Sequence, residues 1–172
     1  MIIRKGEESD IDDIMSCYDV ARQYMRNSGN LTQWVNGYPS RSLVVQDIKN
    51  GVSYVGIDDG GHLAMAFAFI IGEDPTYGII ENGEWLNNLP YGTIHRLGST
   101  GKHRGMLRMC VDYCFSRIDN VRLDTHEDNA VMRSASERLG FVRCGRIYCG
   151  DGTPRVAYQK YVCLLCKDYV EG

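Results

Sequence analysis

The sequence predicts a single α/β domain, a mixed sheet with helices on both faces, spanning residues 1–172. Three observations predict it. Apolar residues recur at helical spacing in four segments and at a period of two or in short apolar runs in seven. These segments interleave in the order β, α, α, β, β, β, α, β, α, β, β. No linker, internal repeat or low-complexity tract divides them, and a chain of this length buries about two-thirds of its unfolded surface by itself.

Met1 to Arg4 reads as a short strand, and Ser9 with Asp12 three residues later has the form of a helix start. Ile11, Ile14, Tyr18, Ala21 and Met25 then form one apolar stripe, so the first helix is expected to end near Met25. Asn27 to Pro39 is a loop with aromatic anchors, and Ser40 caps a second helix that carries Leu43, Val44 and Ile48 before Gly51. Ser53 to Ile57 and Leu63 to Ile71 form a hairpin across Asp58-Asp59-Gly60-Gly61. In its second strand Leu63, Met65, Phe67, Phe69 and Ile71 face one side and Ala64, Ala66, Ala68 and Ile70 the other. Both faces are apolar, so the strand is expected at the centre of the sheet.

Glu73 to Pro90 is a long polar connection, of the kind that often carries function. Thr93 to Ser99 is a strand, a basic glycine-flanked loop follows from Gly101 to Gly105, and Met106, Met109, Cys110, Tyr113 and Cys114 mark a helix. Val121 to His126 alternates as a strand, and Asn129 caps a helix that Gly140 stops. Two strands, near Val142 to Cys149 and Arg155 to Val162, complete the chain across Asp151-Gly152.

Composition excludes several classes. With 22 acidic and 19 basic side chains and no long run of either sign, the net charge of -3 gives no surface for nucleic acid or an anionic membrane. No apolar stretch approaches the roughly 18 residues of a membrane helix, and no leader-like segment opens the chain, so a cytoplasmic location is expected. Seven cysteines, mostly inside apolar periodic segments, read as free thiols. Cys163 and Cys166 have the spacing of half a zinc site, but no second half exists, so no metal is expected.

The chemistry centres on Lys102-His103-Arg104-Gly105-Met106-Leu107. A strand delivers the chain to a helix start, where unpartnered amides and the positive end of the dipole attract an anion. Gly105 lacks the Cβ that would block a pyrophosphate. The competing reading is a solvated basic turn.

This segment resembles the coenzyme A signature Q/R-x-x-G-x-G/A of the GCN5-related N-acetyltransferase (GNAT) superfamily. The flanking strands agree in order, as do Arg122-Leu123-Asp124-Thr125-His126, Asp128-Asn129 and the Leu139-Gly140-Phe141 helix ending. The resemblance covers essentially the whole chain and implies a mostly antiparallel sheet. It implies N-acetyl transfer from acetyl-CoA, as cosubstrate, to a primary amine by direct attack in a ternary complex. The cofactor-binding residues it implies are Leu97, whose strand amide holds the pantetheine arm, the residues Lys102, His103, Arg104, Gly105, Met106 and Leu107 at the pyrophosphate, and Asn129, for which a plain N-cap role competes.

Two positions depart from the pattern. Leu107 is bulkier than the signature's last small residue, and Ser136 stands where many members carry a tyrosine that protonates the leaving thiolate. The acid is then Tyr148, Tyr158 or water. His95, expected to share the face of Thr93 and Leu97 on their strand, is the expected catalytic base, since a histidine is suited to accept a proton near neutral pH. Gln33, Trp34 and Tyr38 are expected to bind the acceptor, with Trp34 as a core anchor the competing reading, and Asp74, Glu81 and Glu84 to attract a cationic amine. The expected partners are a small-molecule or peptide amine and, at most, a second copy of the chain in a homodimer. The rival function is a degenerate acyl-CoA-binding sensor without turnover, motivated by Leu107 and Ser136.

Overall fold

The structure, a computed structural model, describes residues 1–162; the Cys163/Cys166 half-site lies outside them. Its elements are β1 (Ile2–Lys5), α1 (Ile11–Asn27), α2 (Arg41–Lys49), β2 (Ser53–Ile57), β3 (Leu63–Ile71), β4 (Gly92–Ser99), α3 (Met106–Phe115), β5 (Asn120–Thr125), α4 (Ala130–Arg138), β6 (Val142–Tyr148) and β7 (Pro154–Tyr161). The order of elements is the one expected. The seven strands form one sheet in the order β1-β2-β3-β4-β5-β7-β6, and only β4 and β5 are parallel neighbours. No helix among the described residues is long and apolar enough to cross a membrane.

The helices follow their apolar stripes. Ile14, Tyr18, Ala21 and Met25 of α1 pack with Trp34, Val44 of α2, Val55 and Ala66 on one face of the sheet. On the other face Met106, Cys110, Val111 and Cys114 of α3 pack on Met65, Phe67, Phe69, Ile94, Val121 and Leu123. Burial pushes the Cys17 thiol up to about 12 and holds that of Cys110 well above its ordinary value, which suppresses both thiolates.

Three local expectations need correction. Ser9 does not cap α1; it lies in a 3-10 turn, Glu8–Asp10, and Asp10 accepts from the Glu7 amide at 2.8 Å. Arg4 of β1 holds that carboxylate with bonds of 2.6 and 2.8 Å, so a cross-element ion pair selects Asp10 over Ser9. In β3 the register slips opposite Gly56 and Ile57, placing Leu63 with the α1 cluster and Ala64 with the α3 cluster. The third correction, a second slip, matters most for the site. His95 pairs with Ala68 and Gly98 with Ala66, so Arg96 and Leu97 together oppose Phe67 alone. Arg96 adopts φ 55° to make this bulge. His95 and Leu97 therefore do not share a face: Leu97 packs into the core under α3, while His95 points to the α1 side.

Residues 72–91 cover the α1-side face of β5, β7 and β6. Tyr77, Ile80, Trp85 and Tyr91 pack there on Ile147 and Ala157. Glu81 and Arg146 exchange two backbone hydrogen bonds of 2.8 Å, which closes part of the exposed edge of β6. The approach is close enough that a Cβ on Gly83, at φ 157°, would lie 2.0 Å from the Cys144 carbonyl oxygen. Gly83→Ala is expected to cost at least roughly 1–3 kcal/mol, through strain and clash. Urea denaturation of the two proteins measures it.

Candidate active site

Strands β4 and β5 pair only through Gly92–Val121, Thr93–Arg122 and Ile94–Leu123. Beyond Ile94 the two strands diverge, although β4 continues to Ser99 and β5 to Thr125. On the α1 side this splay opens into a cavity of about 650 Å³, walled by Gln33, Trp34 and Tyr38, by Asp74 and Thr76, and by the β6–β7 turn.

His95 lies in this cavity with a carboxylate near each ring nitrogen. Its Nε2 is 2.7 Å from Asp74 Oδ2, and its Nδ1 is 4.0 Å from Asp124 Oδ2. The other Asp74 oxygen accepts from the Thr76 amide at 2.8 Å and hydroxyl at 2.6 Å. Burial raises the Asp74 pKa, but the hydrogen bonds from His95 and Thr76 outweigh it and bring the carboxyl down to about 2. Asp74 is thus an acceptor throughout the physiological range. A neutral His95 then carries its proton on Nε2, which leaves the Nδ1 lone pair open.

Asp124 has other partners. Tyr77 donates its hydroxyl to Asp124 at 2.7 Å, and Arg155 Nε stands 3.8 Å away. Burial first, then the Asp124 charge, push the Tyr77 phenol far above its ordinary range, so it stays a neutral donor. The Tyr77 ring meets His95 edge-on at 5.9 Å. Arg96, swung to this face by the bulge, donates to both carboxylate oxygens of Asp47 on α2 at 3.0 Å. Cys149 also lines the cavity, but burial and then Asp124 raise its thiol, which suppresses the thiolate a covalent route needs.

The acceptor residues expected from sequence divide. Gln33 lines the cavity, and its Oε1 accepts from Asn129 Nδ2 at 3.0 Å and Asn30 at 2.8 Å, joining the α1–α2 loop to the start of α4. Trp34 is buried, edge-on to Tyr18 at 5.3 Å, so its anchoring role is real while one side faces the cavity. Tyr38 is exposed at the mouth. Of the three acidic candidates, Asp74 lines the cavity, and Glu81 and Glu84 do not. Tyr148 and Tyr158 also lie outside it, donating instead to Glu81 at 2.9 Å and Glu137 at 3.0 Å.

At the far end of β4, α3 begins after Gly105, which takes φ 78° as its N-cap. Among the described residues a Cβ at Gly101 or Gly105 would meet nothing within 4 Å, so they leave the approach to the first turn open. The amides of that turn have no acceptor within the helix. Lys102, His103 and Arg104 are exposed around it, with His103 Nε2 3.1 Å from Asp58 of the β2–β3 turn. Met106 is buried and Leu107 packs against the core, so the bulk at Leu107 is turned inward. Asn129 caps α4 by accepting from the Met132 amide at 3.1 Å. Ser136 is fully buried, and its hydroxyl has no hydrogen-bond partner among the described residues.

Sequence reasoning missed Tyr77, Asp124, Arg96, Cys149 and Arg155. The one available signal was the alternation of β5, which puts Asp124 opposite the apolar face of Val121 and Leu123. Among the described residues no group of three His, Cys, Asp or Glu side chains has metal-binding geometry.

The Asp74 shift fixes a sign for acid stability. A carboxyl that ionises at about 2 in the fold and at 3.8 ordinarily contributes stability that is complete above 3.8 and is lost as pH falls through about 2. Asp74→Asn is expected to flatten the loss of stability between those two pH values. Urea midpoints across that range, in both proteins, check it.

No protein-family model matches the sequence, and no curated protein does. Solved structures match over almost the full length. A GNAT-family acetyltransferase from Streptococcus agalactiae is 35% identical, with 94% of this chain and 95% of that chain covered at a TM-score of 0.81. A GNAT-family acetyltransferase from Listeria monocytogenes shares the fold at 20% identity, 94% of each chain and a TM-score of 0.70. The NatB acetyltransferase complex bound to CoA and MES shares it at 13% identity, 95% and 100% coverage and a TM-score of 0.59. With more than a third of its residues identical over nearly all of the first of these, this chain belongs to the GNAT family of acetyltransferases.

Proposed function

We propose that the chain transfers an acetyl group from acetyl-CoA to a primary amine of a small molecule or peptide, with donor and acceptor bound together. The observation that carries this reading is the placement of His95. It lies in a cavity at the mouth of the β4–β5 splay, with Nε2 held by Asp74 and Nδ1 left open. The CoA in the structurally similar NatB complex supports the choice of donor.

The donor fits the opposite end of the same splay. First-turn amides of α3, Gly105 and the side chains of Lys102, His103 and Arg104 would hold its pyrophosphate, with Met106 and Leu107 contributing backbone while their side chains face the core. The β4 backbone near Leu97, beyond the last β5 pairing, offers hydrogen bonds to the pantetheine arm and to a polarised carbonyl. Asn129 flanks that side at the start of α4.

Bound acetyl-CoA supplies an activated acyl carbon and a sulfur that departs as thiolate. The protein's part is positioning and proton transfer. Gln33, Trp34 and Tyr38 shape the acceptor side, and Asp74 and Asp124 favour a cationic amine at the entrance. The amine attacks in its neutral form, its ammonium proton having passed to solvent water, and His95 Nδ1 takes the proton released as the amine nitrogen bonds to the acyl carbon, directly or through one water. Asp74 and Asp124 stabilise the imidazolium that results. Solvent water protonates the thiolate, since Ser136 is buried and Tyr148 and Tyr158 lie outside the cavity.

Thiol release from acetyl-CoA over a panel of amines tests the activity, and calorimetry tests donor binding. Acceptor-dependent release is expected. Tight acetyl-CoA binding with no such release for any amine would establish the sensor instead. His95→Gln is expected to lower kcat by roughly 10²–10⁴-fold and to leave the KM for acetyl-CoA within about twofold.

A further inference from the structure

Arg122 of β5 is 3% exposed, and among the described residues no carboxylate lies within ion-pair reach of it. Its guanidinium carbon sits 3.9 Å from the centre of the Trp85 ring and 3.8 Å from that of Tyr91. One terminal nitrogen donates to the Asn87 carbonyl at 2.9 Å. All three partners belong to the segment 72–91. A buried cation met by ring faces rather than by a carboxylate is an expensive way to gain stability alone.

The contacts lead to His95 by two routes. The Tyr91 hydroxyl accepts from the Asp74 amide at 3.0 Å, and Asp74 holds His95 Nε2 at 2.7 Å. Trp85 stacks on Tyr77 at 5.3 Å and donates Nε1 to the Tyr77 carbonyl at 3.0 Å. Tyr77 in turn touches the His95 ring and bonds Asp124. The two rings that clamp Arg122 are thus the two that set the groups around the imidazole.

We propose that Arg122 is a positioning residue: clamped between Trp85 and Tyr91, it docks segment 72–91 on β5 and so fixes Asp74 and Tyr77 around the His95 ring. A flat guanidinium fills the gap between two rings, which the round ammonium of lysine does not. A separate clasp also fastens the segment. Asn87 Oδ1 accepts from Asn120 at 2.8 Å and Gln159 at 3.2 Å, and Gln159 accepts from the Leu86 amide at 2.8 Å. Loss of Arg122 should therefore loosen the segment without releasing it. The effect on turnover rests on the reading of His95 as the base; the effect on the imidazole does not.

The test follows the His95 Nε2 proton by NMR in the full chain with labelled histidine, assigned through His95→Gln. In Arg122→Met that proton is expected to exchange with water at least about tenfold faster, as in Asp74→Ala, whereas Val55→Ala, a core variant on the other half of the sheet, leaves its exchange unchanged. In the same variant kcat is expected to fall at least about tenfold, with the KM for acetyl-CoA within about twofold. Exchange in Arg122→Met equal to wild type overturns the proposal, and so does Asp74→Ala without effect. If Arg122→Met does not fold, Tyr91→Phe decides: it keeps the stacked ring and removes the hydroxyl that accepts from the Asp74 amide, and unchanged exchange there also overturns the proposal. Faster exchange together with a fully active His95→Gln would keep the positioning role and discard the base.

Discussion

Strands β4 and β5 are parallel, yet they hold register for only three residue pairs before they separate. A parallel pair needs a crossover, and here the crossover is α3, whose first turn must follow the free end of β4. The open edges and the open helix terminus are therefore neighbours for topological reasons. The left-handed backbone of Arg96 then turns the side-chain alternation of β4 by one position, so that His95 and Arg96 both serve the α1 face and Leu97 serves the core.

Two irregular segments roof the gap on that face, and both are tied down by side chains. The α1–α2 loop is joined to the start of α4 through Gln33 and Asn129. Segment 72–91 is joined to the sheet by Arg122 and by the amides of Asn120 and Gln159. Polar groups buried under a loop must find partners, and those partners set where the loop lies. The segment can thus carry Asp74, Thr76 and Tyr77 to fixed positions without being a strand or helix of any length.

The carboxylates beside His95 have unequal freedom. Asp74 is bonded on both oxygens, by His95 and Thr76, and its low pKa reflects that. Asp124 is shared between the Tyr77 hydroxyl and the more distant Arg155. One carboxylate fixes the ring and the other faces the nitrogen that remains open.

Local pattern determined much of this protein. The order of the eleven elements, the apolar stripes of α1 and α3, the Ser40 and Asn129 caps and the glycine-flanked start of α3 all depend on residues within a few positions of one another, and each was legible in the sequence. Only the tertiary structure decided the rest. Asp10 displaced Ser9 because Arg4 reaches it from β1, and Leu63 and Leu97 changed faces at bulges within β3 and β4, the second made by the left-handed backbone of Arg96. The surroundings of His95 come from residues some twenty to thirty positions away, Asp74, Tyr77 and Asp124, and their convergence depends on Arg122 and on pairings that no periodicity encodes. Hydrophobic spacing writes an element's inward face into the chain, whereas the meeting of polar groups from separate elements is set by how those elements pack.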